Sequence, residues 1–381
     1  MYTTAGEERT ALVEAVRDFA ESALTPYAGQ RDAEKHFPVD TLRQAGEMGL
    51  GGIYVREDAG GSGLSRQDAV AIFEELAKGD TTIAAYVSIH NMVVWMIDAF
   101  GDDAQRQRWV PRLAAMEDLG SYCLTEPGAG SDAGAITTSA RRDGDEYVVN
   151  GVKQFISGAG SSAVYVVMAR TGGPGPKGIS AIVVPDGTPG LSFGPEEKKM
   201  GWNAQPTRQV VFEDVRVPVA HRLGGEGDGF AIAMKGLNGG RINIGACSVG
   251  GAQWALERAV AHVAQREAFG APLSANQSVL FALADMETEL QAARALLHRA
   301  AAKMDDGAAD VAAACALAKR YATDAAFGVA NTALQLHGGY GYLHEYGIER
   351  VVRDLRVHQI LEGANEIMRL IVGRSVMEGG R

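Results

Sequence analysis

A glutamate followed by a glycine, just before a predicted helix, is the part of this sequence best suited to chemistry. The pair is Glu362 and Gly363, in the segment HQILEGANEIMRLIVGR. Ile367 and Ile371 follow helical spacing, and Asn365 is predicted to be the N-cap of that helix. Glu362 and Gly363 are therefore expected in the turn that precedes it.

Such a turn could support acid–base chemistry beside a cofactor that carries phosphate. Gly363 lets a backbone or a flat ligand approach closely, and the helix N-terminus offers free N–H groups to anionic or carbonyl oxygens. The alternative is an ordinary loop glutamate in water. The turn alone does not decide between the two, so the rest of the chain has to.

Composition narrows the class of protein. The chain has 381 residues, 46% of them apolar and 22% charged, which is typical of a globular protein of two to three domains. A net charge of -11 disfavours non-specific nucleic-acid binding, so an acidic ligand would need locally placed arginines. Three widely spaced cysteines and eight histidines form no metal-binding pattern, and we predict a reduced compartment and no metal.

The N-terminus and one long apolar segment bear on location. The start of the chain resembles neither a signal peptide nor a transit peptide, which predicts a cytoplasmic protein, or a mitochondrial matrix protein if a presequence has been removed. The run from Ile83 to Phe100 approaches transmembrane length, but Ser88, His90 and Asn91 interrupt it. We therefore predict a buried core helix, with His90 as a hydrogen-bonded core residue, and no membrane.

The pattern of elements predicts an α+β fold with three domains. Residues 1–120 form an N-terminal α-helical domain, with one helix opened by Pro38 and another by a capping box at Ser65 and Asp68. Residues 121–226 form a middle antiparallel β domain, with a two-residue hairpin at Asn150-Gly151. Residues 227–381 form a C-terminal four-helix bundle, with helices near 229–264, 276–305, 308–337 and 364–378.

Six glycines in the first helix of that bundle need an explanation. Each would weaken an exposed helix by up to about 1 kcal/mol relative to alanine. Close helix packing or the approach of a ligand is therefore expected there, at Gly236, Gly239, Gly240, Gly245, Gly250 and Gly251.

The segment YCLTEPGAGSD, from Tyr122 to Asp132, could be mistaken for a dinucleotide-binding fingerprint. The spacing from Gly130 to Gly134 is wrong for one, and no periodic helix follows. A better interpretation is a strand end whose polar groups at Thr125 and Ser131 face a polar ring system.

Five motifs in order give the chain a family resemblance that covers nearly its whole length. YCLTEPGAGSD, FIS, REAFG, QLHGGYGY and ILEGANEIMR resemble the acyl-CoA dehydrogenase family. The resemblance implies FAD as cofactor, an acyl-CoA substrate, a homotetramer (a dimer of dimers) and an electron-transferring flavoprotein as electron acceptor. The stretches SIHNMVVWMIDAFG and GLNGGRINI are most similar to members that convert isobutyryl-CoA to methacrylyl-CoA in valine catabolism.

The resemblance also implies roles for individual residues. Glu362 would be the catalytic base that takes the α-proton while hydride passes from the β-carbon to flavin N5. Acyl-CoA contacts would come from Ser131, Asn238, Arg241 and Arg374. FAD contacts within the subunit would come from Tyr122, Leu124, Thr125, Ser131, Phe155, Ile156, Ser157, Ala364, Asn365 and Glu366. FAD of a neighbouring subunit would be reached by Arg266, Phe269, Gln277, Gln335, Gly338 and Gly339.

The sequence departs from the family at two flavin positions and leaves the substrate open. Ala364 replaces a common threonine and Phe155 a common tryptophan. Some branched-chain members carry their base at the position of Gly240, where a glycine leaves Glu362 without a rival. Gly239 and Gly240 are also expected to leave room for a methyl branch.

The alternative functions are a 2-methylbutanoyl-CoA or short straight-chain acyl-CoA dehydrogenase, an acyl-CoA oxidase, and a nucleic-acid-binding flavoprotein of the same fold.

Overall fold

The computed structural model describes residues 2–379, with side chains from residue 9 onward, so positions 1, 380 and 381 of the predicted outer domains lie outside it. The first part of the chain is helical, as predicted. Its helices are α1 (Tyr2–Phe19), α2 (Ala28–Glu34), α3 (Val39–Glu47), α4 (Arg66–Gly79), α5 (Thr81–Phe100) and α6 (Asp103–Ala114). A single π-helical turn, Ala20–Leu24, continues α1.

Local signals set the starts of these helices. The capping box before α4 is confirmed, because Ser65 Oγ accepts from the Asp68 N–H and the Asp68 carboxylate accepts from the Ser65 N–H, both at 3.1 Å. α3 begins directly after Pro38, as predicted. α5 has a cap that was not predicted: the Asp80 carboxylate accepts from two main-chain N–H groups, at 3.0 and 3.2 Å.

α5 is a core helix, as predicted. It is long and apolar enough to cross a membrane, but 78% of its most apolar window is buried inside the protein. His90 accepts from the Gly120 N–H at 3.1 Å and contacts the Leu113 carbonyl at 2.8 Å. Burial lowers the pKa of His90 to about 4, so the ring is neutral and donates to Leu113. The predicted hydrogen-bonded core histidine is confirmed.

The middle of the chain forms one eight-stranded sheet. The strands are β1 (Gly120–Cys123), β2 (Ser139–Asp143), β3 (Glu146–Ser157), β4 (Val164–Arg170), β5 (Ile179–Pro185), β6 (Leu191–Phe193), β7 (Thr207–Pro218) and β8 (Arg222–Leu223). Their order is β6-β7-β3-β2-β4-β5-β8, and β1 pairs with β4. Most pairs are antiparallel, while β1 and β2 run parallel to β4. Apolar side chains of β4, β5 and β7 fill a core of their own within the sheet.

The hairpin predicted at Asn150-Gly151 is wrong, because β3 runs straight through these residues and pairs with β7. Gly151 has φ +146°, and a Cβ there would lie 2.6 Å from Thr138 Oγ1. Asn150 Oδ1 accepts from the Asp214 N–H of β7 at 2.9 Å. The Asn-Gly signal marks a β-bulge. The two-residue turn lies earlier, between β2 and β3, where Gly144 has φ +63°.

The last part of the chain contains the four predicted helices and a fifth that was not predicted. The helices are α7 (Gly229–Gln265), α8 (Gln277–Asp305), α9 (Val311–His337), α10 (Ile348–His358) and α11 (Asn365–Met377). A short hairpin, β9 (Glu267–Ala268) and β10 (Ala271–Pro272), follows α7. The N-cap prediction for Asn365 is wrong: Ala364 is the cap residue, and the Asn365 side chain is bound to α9 instead.

The six glycines of α7 are explained by close packing, as predicted. A Cβ at any of them would lie within 2.7 Å of a neighbouring atom. At Gly250 this atom is the main-chain oxygen of Glu74 in α4, at 2.1 Å, and at Gly236 it is Met96 Cε in α5, also at 2.1 Å. At Gly250 the backbone of α7 therefore lies against the backbone of α4. One continuous core joins α1, α3, α4 and α5 to α7, α8, α9 and α10.

We expect Gly250→Ala to lower the free energy of unfolding by about 1 to 3 kcal/mol, because backbone cannot yield to the new methyl group as a flexible side chain would. Gly29→Ala is the matched control, since a Cβ at Gly29 in α2 meets nothing within 4 Å. The control should be neutral or raise stability by up to about 1 kcal/mol. Thermal unfolding of both variants checks this, and an unchanged unfolding temperature for Gly250→Ala would contradict the packing argument.

Candidate functional site

A cavity of about 1510 Å³ lies between the sheet, α5, α7 and the turn that joins α10 to α11. Pockets for one drug-sized ligand range from about 300 to 1,000 Å³, so this cavity has room for more than one ligand group. Ten of the residues predicted for the site line it together: Tyr122, Leu124, Thr125, Ser131, Phe155, Ile156, Ser157, Arg241, Glu362 and Ala364.

The turn before α11 has an unusual backbone. Glu362 has φ +55°, a left-handed conformation that costs a non-glycine residue of the order of 1 kcal/mol or more. Gly363 follows with φ +95°, and a Cβ there would lie 2.6 Å from Met368 Cε. Arg241 Nε donates to the Glu362 carbonyl at 3.2 Å, and Lys319 Nζ donates to the Gly363 carbonyl at 2.8 Å. Cations from two helices therefore hold the turn in this conformation.

The Glu362 carboxyl is prepared for proton transfer. Its Oε2 is buried and has no hydrogen-bond partner among the described residues. Burial raises its pKa to about 7, while Arg241 and Lys319 oppose part of that rise. A carboxyl with a pKa near neutrality can both accept and release a proton in this range. These observations exclude the alternative of an ordinary loop glutamate in water.

Gly240 and Gly239 make room for protein groups, which corrects the sequence-based expectation. A Cβ at Gly240 would lie 2.6 Å from Glu362 Oε2, and one at Gly239 would lie 2.7 Å from an Arg66 guanidinium nitrogen. The space beside these glycines is thus occupied by Glu362 and Arg66. The expectation that both positions leave room for a methyl branch of a substrate is wrong.

The sheet side of the cavity fits a flat ring system with polar edges. Phe155 has φ +59°, and 63% of its surface is exposed. Ser157 Oγ accepts from Gln205 at 3.2 Å, and the buried Tyr122 hydroxyl has no partner among the described residues. An aromatic face beside hydroxyl groups suits the flavin ring of FAD, which stacks on such a face and hydrogen-bonds at its edge.

A buried ion pair supports this wall from behind. Lys153 Nζ donates to Glu126 Oε1 at 2.8 Å and to the Leu124 carbonyl at 3.0 Å. Burial opposes the ionisation of Glu126, but the hydrogen bonds from Lys153 and Thr138 outweigh it and lower its pKa to about 2. The pair ties β3 to the strand end that carries Leu124 and Thr125.

The residues predicted to serve a neighbouring subunit lie elsewhere and are all exposed. Arg266 follows the last residue of α7, and its guanidinium lies 5.8 Å from the Tyr340 ring centroid in the 3-10 turn Gly338–Tyr342. Phe269, on the hairpin after α7, has φ +54° and is fully exposed. The remaining members of this group are Gln277, Gln335, Gly338 and Gly339.

Four further predicted residues do not line the cavity. Asn238 accepts from Arg241 at 2.7 Å, and so stands behind it. Asn365 is buried and bound to Lys319. Glu366 and Arg374 are exposed on α11, and Glu366 pairs with Arg369.

Sequence reasoning missed several residues at the site. Lys319 is buried in α9, far from every motif used for the prediction, so no local signal marked it. The cavity is also lined by Ile89, Met92, Trp202, Leu237, Arg353, Arg356 and Leu361. Within the described part of the chain, no group of three or more His, Cys, Asp or Glu residues could hold a metal ion.

Comparison with known sequences identifies the family. Family models for the N-terminal, middle and C-terminal domains of acyl-CoA dehydrogenase match residues 6–117, 121–215 and 227–377. Mitochondrial isobutyryl-CoA dehydrogenase of Bos taurus is 53% identical over 372 residues, which cover 98% of this chain and 89% of the relative. The enzyme of the same name from Dictyostelium discoideum is 54% identical over 94% of this chain and 86% of the relative.

Solved structures agree with the sequence comparison. Butyryl-CoA dehydrogenase from Megasphaera elsdenii superposes with a TM-score of 0.94 and 38% identity, over 97% of this chain and 98% of that chain. A structure described as the electron transferring flavoprotein of Acidaminococcus fermentans superposes with a TM-score of 0.95, also with 38% identity and the same coverage. Because family models match all three domains and a relative is 53% identical over 98% of this chain, the chain belongs to the acyl-CoA dehydrogenase family.

Proposed function

We propose that this protein oxidises a short branched acyl-CoA at its α,β-bond with FAD as cofactor, and that its main substrate is isobutyryl-CoA, which it converts to methacrylyl-CoA in valine catabolism. The observation that carries the proposal is the unpartnered carboxylate oxygen of Glu362, buried beside a cavity large enough for a flavin ring and an acyl group. The two isobutyryl-CoA dehydrogenases at 53 and 54% identity support the choice of substrate.

Glu362 is the proposed catalytic base. The α-proton of a thioester is weakly acidic, so its removal needs a base in a site that excludes water and a donor for the developing enolate oxygen. The carboxylate of Glu362 takes the proton, and its main-chain N–H is the proposed donor to the thioester oxygen. FAD, on which members of this family depend, supplies the acceptor for the hydride that leaves the β-carbon.

Other residues of the chain orient the base and keep water away from it. Arg241 holds the main-chain carbonyl of Glu362, and Asn238 holds Arg241. Apolar side chains at Ile89, Leu237 and Leu361 line the cavity and are proposed to surround the acyl group. A dry, apolar surround strengthens the electrostatic interactions of the base with the α-proton.

The partners follow from the same proposal. Exposed aromatic residues at Phe269, Tyr340 and Tyr342 lie at the end of the chain's long helices, where a second subunit of a homotetramer would be in contact. The structural similarity to a chain described with an electron transferring flavoprotein supports such a protein as electron acceptor. The isobutyryl-CoA dehydrogenases are named as mitochondrial proteins, and a cytoplasmic location for this chain stays a prediction.

We expect Glu362→Gln to retain FAD and to lose flavin reduction by at least about 100- to 10,000-fold, because the amide keeps the size of the carboxyl but cannot accept the proton. Anaerobic mixing with isobutyryl-CoA, followed by flavin absorbance, measures this rate. Glu378→Gln, at the exposed end of α11, is the matched control and should bleach like the wild type. A near wild-type rate for Glu362→Gln would place the base elsewhere.

We expect isobutyryl-CoA to give the highest kcat/KM among four short substrates, and the straight-chain butyryl-CoA to react about 10- to 200-fold more slowly. One methyl group in an apolar pocket changes transition-state binding by only about 1 to 3 kcal/mol, which sets that range. The comparison uses isobutyryl-, 2-methylbutanoyl-, butyryl- and isovaleryl-CoA with one electron acceptor. A higher value for any of the other three would overturn the choice of substrate while leaving the dehydrogenase activity standing.

We expect Arg266→Ala to lower FAD content and weaken the subunit assembly together, because this exposed arginine is proposed to bind FAD of a neighbouring subunit. Arg258→Ala is the matched control: it lies on α7, which ends one residue before Arg266, and its guanidinium lies 5.4 Å from the Trp254 ring centroid, as that of Arg266 lies beside Tyr340. Sedimentation and the flavin-to-protein absorbance ratio measure both effects. A monomer fully loaded with FAD would contradict the proposal.

A further inference from the structure

Lys319 is a buried cation that no described ion pair accounts for. It lies on α9 and is 0% exposed. Its ammonium donates to the Gly363 carbonyl at 2.8 Å and to Asn365 Oδ1 at 2.9 Å. A buried ammonium costs several kcal/mol unless it is well bonded, so its position between these two acceptors needs a reason.

The acceptors of Lys319 lie on either side of the start of α11. Asn365 is the first residue of that helix, and its amide donates to Thr323 Oγ1 at 2.9 Å and to Asp324 Oδ1 at 2.7 Å. Thr323 and Asp324 both belong to α9, as Lys319 does. Three side chains of α9, those of Lys319, Thr323 and Asp324, therefore bind the chain immediately after Glu362.

The charge of Lys319 reaches Glu362 without entering the cavity. Lys319 does not line the cavity, whereas Glu362 and Arg241 do. Burial lowers the pKa of Lys319 to about 8, so most of its charge is retained at pH 7. The titratable and charged groups around the two residues are Arg241 on α7, Asp324 on α9, His358 on α10, Glu366 on α11, Tyr122 on β1 and Tyr54. Cys315 on α9 and Arg66 on α4 lie one step further away, beside Arg241 and Tyr54.

We propose that Lys319 is a positioning residue for Glu362: from outside the cavity it fixes the turn that presents the carboxyl, and its positive charge favours the ionised form of that carboxyl. This inference rests on the proposed role of Glu362 as the base.

The two parts of this role have a common physical origin. The left-handed backbone at Glu362 needs hydrogen bonds that outweigh its strain. Among the described residues, the Gly363 carbonyl accepts a hydrogen bond only from the charged ammonium of Lys319. Among the positive groups around Glu362, Arg241 faces the cavity and is available to an acyl-CoA, while Lys319 is not. The effect of Lys319 on the base is therefore present both before and after a substrate binds.

The test is the pH dependence of flavin reduction in Lys319→Met, which keeps the length and apolar stem of lysine without its charge or donors. Removal of a nearby cation raises the pKa of a carboxyl, so kcat/KM should reach its plateau about one pH unit higher than in the wild type. Below the plateau this shift amounts to roughly a tenfold lower kcat/KM at any given pH. Lys319→Arg keeps the charge and should keep the wild-type profile to within a few tenths of a unit.

A second measurement avoids turnover. 3-Oxobutanoyl-CoA has an acidic α-proton and a carbonyl at its β-carbon, so Glu362 can deprotonate it but no hydride can leave. Its binding, followed by the change in flavin absorbance, should begin about one pH unit higher in Lys319→Met. Thr323→Val is the matched control, because it removes a neighbouring bond to Asn365 without removing charge, and it should leave both profiles unchanged.

The outcomes separate this proposal from the one on which it rests. If Glu362→Gln still reduces the flavin, the base assignment fails, whatever Lys319 does. If Glu362→Gln is inactive and both profiles of Lys319→Met match the wild type, the role of Lys319 alone is overturned. Loss of FAD and of cooperative unfolding in both Lys319→Met and Lys319→Arg would make Lys319 a structural residue and also overturn it.

Discussion

The close approach of α7 to its neighbours is the constraint on which the other features of the structure depend. Where α7 passes α4 and α5, its glycines meet the main-chain oxygen of Glu74 and the side chains of Met96 and Thr81 at distances that leave no room for a Cβ. At Gly240 the same closeness brings the Glu362 carboxyl against the helix itself. The helix that joins the two helical parts of the core is thus also a wall of the cavity, so the position of the base is fixed by the packing of the whole molecule.

The protein has a net negative charge, but individual buried lysines place positive charge at the edge of the cavity. Two lysines, Lys153 and Lys319, are completely buried, and each donates to a main-chain carbonyl at the edge of the cavity: Leu124 on the sheet side and Gly363 on the helix side. In both places one group supplies a hydrogen bond that shapes the backbone and a charge that stabilises a carboxylate. Geometry and electrostatics at this site therefore cannot be varied separately by changing one lysine.

Sequence patterns predicted what is determined locally and failed where distant segments decide. The capping box at Ser65 and the glycines of α7 were predicted, because a cap is set by neighbouring residues and a run of glycines needs close packing whatever the partner is. Asn150-Gly151 was assigned to the wrong structure, since its bulge depends on a bond to Asp214, 64 residues later. Lys319 lies 44 residues before Gly363, whose carbonyl it binds, and no sequence pattern near Lys319 indicates that partner.

At the site, too, some residues could be predicted from the sequence and others could not. The motif residues that meet in the cavity could be named from the family resemblance, and Glu362 was singled out from its own turn. The role of Gly239 and Gly240 was misjudged, because the sequence shows that side chains are absent but not which neighbouring group uses the space. Only the structure shows Arg66 and Glu362 there.

The polar residues of α5 have a consequence for the chain before it folds. As it leaves the ribosome, the segment Thr81–Phe100 has the length and composition by which insertion machinery selects a membrane span. In the folded protein Asn91 makes three hydrogen bonds, to the main chain at Leu50, Ile53 and Val87, and only the one to Val87 lies within the same helix. In a lipid bilayer the other two partners would be missing and the amide would be left in hydrocarbon. The side chains that bind α5 into the core therefore also raise the free energy of inserting this segment into a membrane.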